Sequence, residues 1–365
     1  MSVSGELFDN YYLEAEKYIQ NMTIEEKIGQ MFIVRYNEKT AQDIILDKKP
    51  CGFTLYRVDF DHDENYILNK INTLQNLSMK TVNLPLGIAV DEEGGTVNRV
   101  SFYHRNEGKF PSPQEIYNKS GIKAILDIDQ EKRNLLRKFK VNINFAPVAD
   151  ISNNSSDYIY NRTLGKSAIE TAEYIGKDVE GYVNDNFSCC VKHFPGYSSN
   201  KDTHKDKSKD NRSYDILLKE DFKPFEAAIK NKVPMIMCSH NILECKDPIY
   251  PVSISKTWHD ILRNELNYSG LILTDDLCMG AIKTYSKKET GAALAVKAGN
   301  DILLVTDINE HFNEIITAVK SGDINEEIIN KACRRVIAWK LKYLMNFEKS
   351  GENNFGIKRK KKRNE

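Results

Sequence analysis

"PLGIAVDEEGG" occupies residues 85–95. An apolar run gives way abruptly to three carboxylates and two glycines. The run is strand length and shows no polar alternation, so both of its faces are buried, as in a parallel sheet. The same pattern recurs in seven other places. "GQMFIV" (29–34), "GFTLY" (52–56), "NINFAPVA" (142–149) and "FSCCV" (187–191) are four of them. "VPMIMCS" (233–239), "GLILT" (270–274) and "DILLV" (301–305) complete the set. Most are rich in β-branched or aromatic residues. Helical spacing fills the intervals, as in "SAIETAEYIGKDVEGYV" (167–183), "YDILLKEDFKPFEAAIK" (214–230) and "TWHDILRNEL" (257–266). Thr23 and Glu26 form a capping box ahead of the first run. A long amphipathic helix, "NEEIINKACRRVIAWKLKYLM" (325–345), follows the last. Strand and helix alternating about eight times predicts an α/β fold of the (β/α)8 TIM barrel type. A doubly wound sheet is the competing architecture, but no GxGxxG follows an early strand.

The ends of the runs carry the chemistry. The third run ends in Asp91-Glu92-Glu93, the fourth in Asp150 and the fifth in Lys192-His193. His240-Asn241, Asp275-Asp276 and Asp307 end the last three. In a barrel these ends converge on one mouth, where active sites sit. Any single charge after a strand is ordinary, but five or six on one rim are not. Carboxylates and cations together, without the His/Cys spacing of a metal site, suit a sugar. Asp275 and Asp276 are neighbours on one strand and point to opposite sides, so only one can face the axis. The other suits a helix cap. In "KHFPGYSSNKDTH" (192–204), Asp202 and His204 are two residues apart and lie on one side of an extended loop. The carboxylate there can hold the imidazole and stabilise its protonated form, and an imidazole titrates where a group must give and take a proton.

The chain has 365 residues, 41% apolar and 28% charged, with a formal net charge of zero. That composition is globular and offers no electrostatic case for nucleic acid. No apolar stretch reaches the length of about 18 residues that a membrane span needs. Seven cysteines without a CxxC pair suit a reducing compartment. The N-terminus lacks the charged start and apolar core of a signal peptide, which predicts a cytoplasmic protein, or a secreted one if a leader has been removed. Residues 1–350 read as one barrel domain. Residues 351–365, ending in "KRKKKRNE", read as a basic, disordered tail.

Several motifs resemble glycoside hydrolase family 3, in its β-N-acetylglucosaminidase (NagZ-type) branch. They are "MTIEEKIGQMFIV", "PLGIAVDEEGGTVNRV", "NINFAPVADI", "NRTLG", "KHFPG" with its following "DTH", and "ILRNELNYSGLILTDDLCM". The resemblance covers about residues 20–310. It implies that Asp275 is the nucleophile, His204 the general acid/base and Asp202 its partner. It further implies that Asp91, Arg99, Arg162, Lys192 and His193 hold the sugar hydroxyls. The chain departs from the family where Tyr197 replaces a common His, where Thr96 replaces a common Arg, and at Cys278. Its acid/base loop is also one residue shorter. The expected enzyme is a retaining β-N-acetylhexosaminidase acting on small GlcNAc-containing glycans such as peptidoglycan fragments. It needs no cofactor and no metal, and works as a monomer. Chitin oligosaccharides, phosphorolysis in place of hydrolysis, and sugar binding without catalysis are the alternatives.

Overall fold

The computed structural model of the chain describes residues 5–197, 209–278, 282, 291–345 and 347. Ten strands occur among them. In chain order they are β1 (Phe32–Arg35), β2 (Gly52–Thr54), β3 (Gly87–Val90), β4 (Ile143–Asn144) and β5 (Ser188–Phe194). Then follow β6 (Lys209–Asp210), β7 (Met235–Cys238), β8 (Ile242–Leu243), β9 (Leu271–Thr274) and β10 (Leu303–Val305). Eight of them form a parallel sheet in the order β10-β1-β2-β3-β4-β5-β7-β9. A parallel bridge between Leu273 and Ile302 brings β9 back to β10 and closes the barrel. These eight are the eight apolar runs. The short pair β6 and β8 lies outside the barrel.

Side-chain parity explains why the runs lack polar alternation. Ile33, Ala89, Ile143, Cys190, Met235, Met237, Leu271, Leu273 and Leu304 share one buried cluster, the barrel interior. Their neighbours Phe32, Val34, Ile88, Val90, Cys189, Val191, Ile236, Ile272 and Leu303 belong to a second cluster with the surrounding helices. Each strand is therefore apolar on both faces. Parity also decides what emerges at the C-terminal mouth. Continuing each inward set by two residues reaches Arg35, Asp91, Lys192 and Asp275.

The helices that flank the barrel start on clear signals. Thr23/Glu26, Ser112/Glu115 and Ser167/Glu170 all form capping boxes. The helix expected over 214–230 is two helices, Tyr214–Lys219 and Phe222–Lys230. Pro224 lacks an N–H and its ring would clash with the carbonyl four residues back, at Glu220, which is where the helix breaks. The opposite, N-terminal end of the barrel is plugged by helices Asp9–Ile19 and Glu326–Tyr343. Trp339 reaches into the interior cluster and donates its indole N–H to the Ser188 hydroxyl at 2.6 Å. Beside it the fully buried Lys340 donates to Gln30 Oε1 at 2.7 Å. Among the described residues no helix is long and apolar enough to cross a membrane. All seven cysteines are free thiols.

Candidate active site

A cavity of about 430 Å³ opens at the C-terminal mouth. Its floor is apolar, made by Ile33, Phe145, Met237, Leu304 and Val305. Its walls contain Asp91, Arg99, Arg162, Lys192, His193 and Asp275, so six of the eight residues singled out in the sequence meet there. The other two, Asp202 and His204, lie outside the described residues, as does the tail 351–365. A larger cavity, about 1420 Å³, sits at the other end of the barrel among Arg263, Asp301 and Arg335. It meets none of the strand ends that carry the carboxylates.

Lys192 is the hub of the mouth. Its ammonium lies 2.7 Å from both Asp91 Oδ1 and Glu93 Oε1. Arg99 pairs with the other Asp91 oxygen at 3.3 Å. Arg162 grips Glu93 with two N–H groups at 2.9 and 2.8 Å. Burial pushes the Asp91 carboxyl up, but Lys192 and Arg99 outweigh it and leave the group below its ordinary value. Glu93 follows the same logic more strongly, with Arg162 and Lys192 overcoming burial. Burial alone would make Lys192 give up its proton, yet Asp91 and Glu93 hold its value above the usual one. Both carboxylates and the ammonium therefore stay charged. Tyr56 stands beside them, its ring 3.9 Å from the Arg35 guanidinium. Its hydroxyl is pushed up to about 12 by burial, then by Asp91 and Asp276.

Lys192 and His193 are consecutive, and a regular strand would send them to opposite faces. The pairing of β5 with β7 skips one residue between Lys192 and Phe194, and such an irregularity re-aims a side chain. Both residues consequently face the cavity. Asp150 holds His193 in place by accepting its Nδ1–H at 2.7 Å. In the neutral ring this leaves Nε2 as an acceptor, and Arg162 lies 3.4 Å from it. Asp150 also accepts the Tyr197 backbone N–H at 2.7 Å. The loop from Tyr197 to His204 has a composition with little to bury, but Tyr197 itself is buried, against His193 and Tyr158. An aromatic ring has enough apolar surface to be worth burying, which the polar residues after it lack.

The two aspartates after β9 separate as parity requires. Asp275 continues the inward set of Leu271 and Leu273. Its Oδ1 accepts the Asp276 N–H at 2.8 Å. Asp276 also borders the cavity, but its carboxylate accepts from Cys278 N at 2.9 Å and Thr306 Oγ1 at 2.8 Å, a turn-holding role. His240 donates to the Asp276 carbonyl at 2.9 Å and does not border the cavity. Asp307 caps the helix Ile308–Lys320. Those two rim residues are structural. Glu93, Asp150, Tyr56 and Arg35 were not among the site residues read from the sequence. Glu93 had a signal, being two residues past Asp91 and ahead of a Gly-Gly turn. Gly94 (φ 103°) sits so close to Pro111 that a Cβ would lie 2.4 Å from its carbonyl oxygen.

A barrel mouth that sets charged carboxylates and cations over an apolar floor stands where enzymes of this fold place their active sites. The family model described as "Glycosyl hydrolase family 3 N terminal domain" matches residues 23–339, and the chain belongs to that family of glycoside hydrolases. A beta-hexosaminidase of Idiomarina loihiensis is 31% identical over 280 residues, covering 75% of this chain and 82% of that protein. An uncharacterized secreted glycosyl hydrolase of Arthroderma benhamiae is 29% identical over 307 residues, covering 79% of this chain and 83% of that one. Among solved structures, a glycoside hydrolase family 3 beta-N-acetylglucosaminidase from Paenibacillus sp. str. FPU-7 superposes with a TM-score of 0.83 at 27% identity. That match covers 88% of this chain and 63% of the Paenibacillus chain, so this chain spans less than two thirds of that enzyme. Mycobacterium tuberculosis LpqI shares the fold, with a TM-score of 0.80 over 89% of this chain and 96% of its own.

Proposed function

We propose that this chain is a retaining exo-β-N-acetylglucosaminidase that releases terminal β-linked GlcNAc, with peptidoglycan fragments as its natural substrates. The observation that carries the reading is the convergence of Asp91, Arg99, Arg162, Lys192, His193 and Asp275 on one cavity of about 430 Å³. That volume is at the small end of ligand pockets, which run from about 300 to 1,000 Å³, and suits one sugar unit. The names of the Idiomarina and Paenibacillus relatives support the choice of sugar.

In this mechanism Asp91, Arg99, Arg162, Lys192 and His193 hold the sugar hydroxyls. Asp275 attacks the anomeric carbon while His204 protonates the departing oxygen, with Asp202 stabilising the imidazolium. A water deprotonated by His204 then frees the sugar from Asp275. No cofactor takes part, and the enzyme acts as a cytoplasmic monomer. A chromogenic β-N-acetylglucosaminide should be hydrolysed far faster than the matching β-glucoside. His204→Ala should slow substrates with poor leaving groups by about 10²–10⁴ and activated ones less. Azide should restore part of its turnover, because it attacks without needing a base. Equal loss on both substrates, with no effect of azide, would remove His204 from the mechanism. A rate that rises in phosphate over inert buffer would mark phosphorolysis instead.

A further inference from the structure

Behind the β3–β4 wall, outside the barrel, lies a cluster of charges that the reaction does not touch. Helices Pro113–Lys138 and Ala168–Asn184 press together Asp129, Lys132, Arg133 and Asp178, each less than 5% exposed. Lys132 Nζ donates to Asp129 Oδ1 at 2.7 Å and, on its other side, to the Glu93 backbone carbonyl at 3.1 Å. Arg133 is occupied elsewhere, with Asp185 at 2.6 Å and Asp178 at 3.6 Å. Lys132 is therefore the cation that reaches the backbone of the mouth from behind. Burial and the neighbouring Asp129 push the Asp178 carboxyl far above its usual value.

Stability does not explain such a cluster. Buried ion pairs are often no better for folding than apolar side chains of the same volume. What the cluster supplies is a fixed point. Glu93 presents its carboxylate to Arg162 and Lys192 inside the mouth, and its carbonyl is tied to Lys132 outside. The Glu93 and Gly94 N–H groups both donate to the Val97 carbonyl, at 3.1 and 3.0 Å, which holds the turn to itself, and the bond from Lys132 ties that turn to the helix behind it. The preceding residue is held from the same side, since Asn144 accepts the Glu92 N–H at 2.9 Å and donates to the Glu92 carbonyl at 3.2 Å.

We propose that Lys132 is a positioning residue for the glycosidase reaction, aligning Arg162 and Lys192 through Glu93. This rests on the reading of the mouth as the sugar site. The test is a double-mutant cycle on the full chain, read as kcat and KM on the chromogenic β-N-acetylglucosaminide. Lys132→Met keeps the length and removes the charge and the donor. It should lower kcat/KM by about tenfold to a hundredfold, as expected for a small displacement of positioning groups. Glu93→Gln should do at least as much. In the Glu93→Gln background, Lys132→Met should add less than about twofold, because its route of action is already gone. A merely structural lysine would give multiplying effects, which would overturn the proposal, as would wild-type kinetics in Lys132→Met. If Lys132→Met does not fold, the same cycle is run with Lys132→Gln, whose amide is too short to hold both partners. Arg162→Ala separates the two levels of the argument. An inert Arg162→Ala refutes the sugar site itself, whereas an impaired Arg162→Ala with a normal Lys132→Met refutes only the role of Lys132.

Discussion

Replacing each of the paired aspartates after β9 should have opposite consequences for activity and for stability. Asp276 accepts two hydrogen bonds, from Cys278 N at 2.9 Å and Thr306 Oγ1 at 2.8 Å. Two such bonds at a turn contribute about 1–2 kcal/mol together. Asp276→Ala should lower the melting temperature by a few degrees and leave turnover within about tenfold of the parent. Asp275, two residues beyond the last inward leucine, faces the cavity and is the proposed nucleophile. Its removal takes away the covalent route. A loss on the order of 10⁴–10⁶ in kcat follows, or about 5–8 kcal/mol of transition-state stabilisation. Melting of Asp275→Ala should stay close to the parent. Release of nitrophenol measures the first quantity and thermal denaturation the second. Trapping with a slow fluorinated sugar, then peptide mapping, identifies the labelled carboxylate. A label on Asp276, or an active Asp275→Ala beside a dead Asp276→Ala, would refute the parity argument.

Three further outcomes are expected. Arg162→Ala and Lys192→Ala should each reduce kcat/KM by about 10² or more, and each should cost about 1.5–3 kcal/mol in urea denaturation by leaving the buried Glu93 carboxylate with one cation in place of two. Unchanged kinetics in both would mean that the sugar is held elsewhere. Trp339→Ala should destabilise the fold by about 3–5 kcal/mol, since it empties the plug of the barrel and orphans the Ser188 hydroxyl. A cost under about 1 kcal/mol would show that the C-terminal helix is not part of the cooperative core. Lys340 is buried, and burial lowers its value below that of an unfolded lysine. Between those two values the unfolded chain binds more protons, so stability should rise with pH as the solution approaches about 10.4. Lys340→Met should abolish that rise and be at least as stable at neutral pH, which urea denaturation across pH 7–10 would check.

The eight strands and their order of use were legible in the sequence because burial on both faces leaves continuous apolar runs, a local signature. The end of each run was legible too, since polarity returns abruptly where a strand meets solvent. Asp91, Lys192 and Asp275 stand at such ends, and side-chain parity carries them into the mouth. Local pattern could not show what the rim residues do once there. His240 and Asp307 look like Asp91 in the sequence, yet one braces the Asp276 carbonyl and the other caps a helix. Glu93, Asp150 and Lys132 acquire their roles only from partners 39 to 69 residues away, across strands and helices that touch after folding. The skipped residue in the β5–β7 pairing, which lets Lys192 and His193 face one cavity, is likewise a property of two strands together. Periodicity records which side of an element meets water. Which charge meets which is settled by the closure of the barrel, because a carboxylate buried in that wall is tolerable only where the fold brings it a cation.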